Sequence, residues 1–364
     1  MPSLFGRFWT RRELQNHVGD MRQVAGIQSA TLTGGRAAGV RALEFTVGDG
    51  LRFTVLPDRC MDIPYLEYRG VPLVWASRTG IVSPHDFDDR GRGWLRSFSG
   101  GLLATCGLTQ VGQPCLDGDE ALGLHGRIGN TPAEDVSTEC MWDGDDYIMR
   151  CGGMMREARV FGEDLRLFRQ IEVRAGSRTI HLRDRVENRG AHETPFMLLY
   201  HCNFGFPLLS PDARALFADE HVEPKDEPSR QGMAELTRYG PPQRDWSEQN
   251  YWHDPRTNEN GECQAAIVNE TVSAGARAGV GVALTWRKDQ LKMMVQWKQL
   301  GCGDYVTAME PANCHTMGRV WERENGTLEY LAPGEVRHFE LSFTILAGGT
   351  EIQAFEQRLL DVAR

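Results

Sequence analysis

Hydrophobic positions alternate with polar ones along most of the chain. Residues 42–47 (ALEFTV) and 51–56 (LRFTVL) alternate on either side of Gly48-Asp49-Gly50. That is the pattern of a hairpin with one buried face. Residues 165–174 and 179–187 form a second pair around Ala175-Gly176-Ser177, and further runs lie at 194–201, 280–286, 291–297 and 338–346. Pro333-Gly334-Glu335 marks a turn before the last of these. Helical spacing is confined to the two ends. Thr10 and Glu13 have capping-box spacing, and Leu14, Val18, Met21 and Val24 follow at helical intervals up to Gly26. Thr350 and Gln353 repeat the signal, which predicts a helix over 350–364 with Ile352, Phe355 and Leu359 on its buried face.

Forty glycines punctuate these short strands. The pattern predicts an all-β fold, a sandwich or barrel, with short N- and C-terminal helices. No glycine-rich loop follows a strand and opens a helix, which argues against a nucleotide fold. No low-complexity linker divides residues 1–364, so a single domain is expected, with 1–26 as a helical extension. The stretch 210–262, rich in Pro, Asp, Glu and Arg, reads as a long irregular excursion that covers a site or an interface. A homodimer contact is one use for it.

The formal net charge is -10, from 50 acidic and 40 basic residues. This disfavours nucleic-acid and anionic-membrane partners, both of which need clustered Lys and Arg. The densest basic stretch is Arg90-Gly-Arg-Gly-Trp-Leu-Arg96, and it is short. Nine scattered cysteines without a Cys-x-x-Cys suggest reduced thiols. The N-terminus carries no apolar signal core, so a cytoplasmic location is expected.

Three residues stand out chemically. His201 ends the apolar run Leu198-Leu-Tyr-His, where an imidazole is costly unless it is hydrogen-bonded or used. His125 lies between Gly123, Leu124 and Gly126, whose small size lets something approach the backbone. Glu310 ends the strand-like run Tyr305–Met309 before Pro311, and desolvation there would raise its pKa and make it a usable base. A satisfied core histidine, a turn histidine and a strand-end glutamate are the plain alternatives. Arg127 could clamp a hydroxyl or sit on the surface. Trp94, Trp286 and Trp297 could stack on a sugar face or simply fill the core. No short metal-type spacing joins these histidines, so no metal is expected. Cys202 and Cys314 carry no mark of activation.

Five segments in order, PDRCMDI (57–63), FSGGLLATCGL (98–108), LHGRIGN (124–130), LLYHCNFGFPLL (198–209) and MEPANC (309–314), resemble the aldose 1-epimerase (galactose mutarotase) family, in a little-characterised bacterial branch. The resemblance implies a large twisted antiparallel β-sandwich with a sugar cleft and no cofactor. It matches His125 to the histidine that binds near the ring oxygen and His201 to the general acid. It matches Glu310 to the base at the anomeric hydroxyl. Arg59 or Arg96 could match the substrate-binding arginine, with Arg127 and Asn203 as further substrate contacts. The family's sugar-holding aspartate has no clear counterpart. Asp254 is one choice, and Gln296, Trp297 or Lys298 could serve instead.

The implied activity interconverts the α and β anomers of a free sugar. A non-catalytic sugar sensor on the same fold would bind sugar without accelerating exchange. An isomerase or lyase acting on an oxidised sugar would use the same Glu/His pair but exchange a carbon-bound proton with solvent.

Overall fold

A computed structural model describes residues 1–363, and three antiparallel sheets dominate it. The first is a sequential five-stranded meander from Gly26–Thr31 to Val71–Pro72. The second has eight strands, including Asp146–Ala158, Asp164–Arg174, Thr179–Asn188 and Val336–Ala347. The third has seven. It runs Asp219–Pro224, Gln249–Pro255, Met293–Gly301, Asp304–Ala312, Thr194–Phe204 and Glu329–Leu331, with Ala104–Leu108 also pairing to Thr194–Phe204.

Thr194–Phe204 is the hinge between core and site. Its side chains alternate between two faces, and Phe196 through Phe204 are all buried. Phe196, Leu198, Tyr200, Cys202 and Phe204 enter the main core with Leu167, Ile171, Leu182 and Phe339 of the eight-stranded sheet. Each large apolar side chain there stabilises by about 1.5–3 kcal/mol relative to exposure. Met197 and Leu199 face the other way, into a second cluster with Trp94, Phe98, Leu124 and Val295. Period two therefore puts His201 and Asn203 on this second face.

A buried ionic network joins the three sheets beneath the strand. Arg169 donates to both oxygens of Asp184 (2.9 and 2.6 Å), and at 2.9 Å to Asp62, to the Thr105 hydroxyl and to the Cys60 carbonyl. The Tyr200 hydroxyl donates to Asp184 at 2.8 Å. Every charge in this group has an opposite partner or a hydrogen bond.

The predicted strands are present, and Arg41–Gly48 pairs with Leu51–Leu56 across the expected turn. Three sequence expectations change. The N-terminal capping box forms, but the helix is only Arg11–His17 and buries Leu14 alone. Asp20 caps a separate 3-10 turn at Met21–Gln23, and Gly26 opens a strand instead of closing a helix. The C-terminal helix, Gly349–Ala363, buries Ile352, Phe355 and Leu359 as expected. Its first turn begins ahead of Thr350, and Glu351, not Thr350, accepts from the Ala347 N–H. The stretch 210–262 is structured, with strands Ala213–Phe217, Asp219–Pro224 and Gln249–Pro255 and a capped helix Glu227–Gln231. The hairpin Glu134–Asp143/Asp146–Ala158 was not foreseen, because its first strand is an exposed edge with little apolar alternation. No helix among the described residues is long and apolar enough to cross a membrane.

Candidate functional site

Strand register brings the two principal groups together. Leu199 opposes Ala312 and Cys202 opposes Met309, which sets His201 across from Glu310. His201 Nε2 lies 3.1 Å from Glu310 Oε1, and both side chains are almost fully buried. The angle of that contact falls outside hydrogen-bond geometry. Among the described residues Glu310 Oε1, His201 Nδ1 and His125 Nδ1 have no hydrogen-bond partner. Buried polar atoms without partners are rare and costly.

His125, His201 and Glu310 line a cleft of about 390 Å³ walled by Trp75, Trp94, Phe98 and Trp297. Trp94 stacks on Phe98 at 4.2 Å and lies 4.7 Å from the His125 ring. Trp297 meets His201 edge-on at 5.4 Å, and the two histidine rings are 5.8 Å apart. His125 is held in the left-handed region (φ 58°), its N–H bonded to Gly112 and its carbonyl to the Gly107 N–H. Such a conformation in a residue other than glycine is strained and is common at functional sites. The close approach at its neighbours is made by the chain's own backbone. A Cβ at Gly123 would lie 2.1 Å from the Asp89 carbonyl, and one at Gly126 would lie 2.3 Å from that of Gly107.

Burial sets the charge state. It pushes the Glu310 carboxyl well above the usual carboxylate range, with Glu248 adding to the rise and Lys225 opposing it. It holds His201 well below the usual imidazole range, helped by His125. His125 itself is pushed down to about 3 by burial, with smaller contributions from Lys225 and Arg92. Burial thus favours a proton on the Glu310 carboxyl and a neutral His201 ring in the empty cleft.

The remaining sequence candidates divide. Trp297 shares its face with Met293 and Val295 and lines the cleft, its indole N–H donating to Glu248 at 3.1 Å. Gln296 and Lys298 alternate to the opposite face. Gln296 donates to the Leu236 carbonyl, and Lys298 to those of Glu235 and Arg238, so both anchor the 210–262 stretch. Asn203 is fully buried and ties the Gly101 carbonyl to that of His201, supporting the cleft wall without lining it.

The three arginines and Asp254 also lie outside the lining. Arg59 is buried and donates to the carbonyls of Gly129, Val82 and Ser97. The PDRCMDI segment thus serves the fold, with Asp58 paired to Arg41 and Asp62 to Arg169. Arg96 is exposed. Arg127 pairs with Asp89 at 3.0 Å. Asp254 is exposed and pairs with Lys288 at 2.7 Å. Trp286 is a main-core residue, its indole N–H donating to the Leu291 carbonyl.

The cleft contains residues that no motif marked: Arg78, Arg92, Lys225, Glu248, Asn250 and Asp304. Arg92 belongs to the basic stretch noted above. Lys225, Glu248 and Asn250 come from 210–262, which does cover the site.

The fold is that of the galactose mutarotase-like proteins. A protein from Klebsiella pneumoniae subsp. pneumoniae MGH 78578, provisionally described as an aldose 1-epimerase, is 28% identical with a TM-score of 0.87, covering 93% of this chain and 88% of its own. A galactose mutarotase-like protein from Clostridium acetobutylicum has a TM-score of 0.61 at 14% identity, over 89% of this chain and 99% of its own. The galactose 1-epimerase of Lactobacillus acidophilus NCFM has a TM-score of 0.57 at 13% identity, over the same shares of the two chains. No curated protein sequence matches the chain. Residues 37–345 match the family described as a domain of unknown function, DUF4432, and the chain belongs to that family.

Proposed function

We propose that the cleft interconverts the α and β anomers of a free aldose. One observation carries this reading: a buried imidazole and carboxyl 3.1 Å apart, with unpartnered polar atoms, on the floor of an aromatic-walled cleft. The similarity to the Klebsiella protein, provisionally described as an aldose 1-epimerase, supports it.

Ring opening requires one proton to leave O1 and one to reach the ring oxygen. With the pair's proton on His201, Glu310 takes the proton from O1. His201 gives its proton to the ring oxygen as the C1–O bond breaks and the carbonyl forms. The pair again holds one proton, now on Glu310. That is the distribution burial favours in the empty cleft. Rotation about C1–C2 and reversal of both transfers close the other anomer. No proton need come from solvent. His125, neutral at physiological pH, contributes a hydrogen bond that orients the sugar, and the tryptophan walls exclude water.

The test is exchange NMR on free aldoses and sugar acids with wild type, Glu310→Gln and His201→Gln. Accelerated anomer exchange, lost in both variants, is the expected result. Sugar binding without any accelerated exchange would replace the enzyme reading with a sensor. Exchange of a carbon-bound proton with deuterium would replace it with an oxidised-sugar isomerase.

A further inference from the structure

The charges around the cleft are unevenly matched. Three cations line it, Arg78, Arg92 and Lys225, with three carboxylates, Glu248, Asp304 and Glu310. Arg78 grips both oxygens of Asp304, at 2.9 and 2.6 Å, so that pair cancels. Glu310 is driven to its uncharged form by burial. Glu248 accepts from the Trp297 indole. Among the described residues, neither Arg92 nor Lys225 has a side-chain hydrogen bond or ion pair. This occurs in a chain of net charge -10, where carboxylates outnumber cations and unpaired cations are the less expected kind.

Lys225 is placed, not trailing. Its N–H bonds to the Asn250 carbonyl at 3.0 Å, and Pro224 before it pairs with Tyr251. Asp226 after it caps the next helix by accepting from the Ser229 N–H and hydroxyl. Lys225 is half-buried and close enough to Glu310 and His125 to move both of their titrations. A half-buried lysine and an exposed arginine without partners, lining a cleft whose histidine and glutamate carry unpartnered Nδ1 and Oε1 atoms, suit a ligand that brings its own negative charge.

We infer that the cleft takes aldoses carrying an anionic group, a carboxylate, phosphate or sulfonate, which Lys225 and Arg92 bind. The inference rests on the anomer-exchange reading for the chemistry and adds the substrate class. The two cations supply charge-assisted hydrogen bonds to the anion, while His201 and Glu310 address the ring.

The test is a calorimetric titration of wild-type protein with D-galactose, D-galacturonate and D-galactose 6-phosphate, and with the corresponding glucose series. Mutarotation consumes no ligand, so the active protein can be used. At least one anionic member should bind about tenfold or more tighter than its neutral parent, the scale of one charge-assisted contact. Lys225→Met and Arg92→Gln should each remove most of that advantage, read as the ratio of anionic to neutral affinity within each variant. The preferred member distinguishes carboxylate from phosphate. Equal or weaker binding of every anionic member, or a preference that survives both substitutions, overturns the inference. Anomer exchange followed on the same samples separates the two readings. Tight anion-dependent binding without exchange sinks the mutarotase alone, and exchange on neutral sugars without an anionic preference sinks the substrate class alone.

Discussion

The strand Thr194–Phe204 buries ionisable groups on both faces and treats them in opposite ways. Under one face, Tyr200 joins Arg169, Asp184 and Asp62, and each charged group is paired. On the other, His201 and Glu310 sit 3.1 Å apart with atoms left unbonded. Both places pay desolvation, which lifts even the paired Asp62 carboxyl to about 6. Only the network under the strand recovers it within the fold. Burial alone therefore does not mark a site. Burial with unmet hydrogen-bonding capacity, open to a cleft, does.

The sharpest way to break this contrast is Glu310→Gln. Exchange should fall by about 10²–10⁴-fold, the usual worth of a positioned acid–base group. Stability should not fall. The native pKa of Glu310 lies above its ordinary value of 4.5. Between those values the native state holds a proton that the unfolded chain has lost, so stability declines as pH rises through that interval. Gln removes the decline, and the variant should melt at or above wild type at pH 8. A clearly lower melting temperature would mean that Glu310 belongs to the fold.

Arg169→Met probes the opposite face. It leaves Asp184 and Asp62 buried without their cation and should cost about 3–5 kcal/mol in denaturant unfolding. A cost under about 1 kcal/mol, typical of an exposed pair, would erase the distinction between the faces.

His125→Gln sharpens the comparison. Exchange should fall about tenfold, since one hydrogen bond is lost and no charge at neutral pH. Its pKa of about 3, against an ordinary 6.5, gives the sign on the acid side. Between those values the unfolded chain binds a proton that the native state refuses, so stability is lost as pH falls from 6.5 toward 3. The variant should lose less over that interval, as read from melting curves. The smallest effect belongs to Asp254→Ala. This exposed partner of Lys288 should change stability by less than about 0.5 kcal/mol and leave exchange rates unaltered.

Legibility followed the physical range of each signal. The hairpin at 42–56 and the buried stripe Ile352, Phe355, Leu359 could be read because alternation and helical spacing are local. The long edge strand Glu134–Asp143 could not, since an exposed edge has no buried face to impose a pattern. Val18, Met21 and Val24 keep apolar spacing across the break at Gly19-Asp20, so spacing alone predicts a helix longer than the observed Arg11–His17. His125, His201 and Glu310 were recognisable because each sits in an unusual local setting. Arg59 was the instructive exception. It lies in a distinctive segment, yet its donors all go to backbone carbonyls.

By itself the sequence determined the all-β architecture and the helices at its two ends, and it singled out two histidines and a glutamate as candidates. Those properties depend on periodicities and neighbours a few residues apart. Tertiary structure alone decided that His201 opposes Glu310, that Gln296 and Lys298 turn away, and that Arg92 and Lys225 reach the cleft. The first two depend on strand register and on one-residue alternation between faces, which a shift of one position would reverse. Arg92, at the start of a 3-10 turn, and Lys225, between a strand and a helix, reach the cleft from connections far apart in the chain.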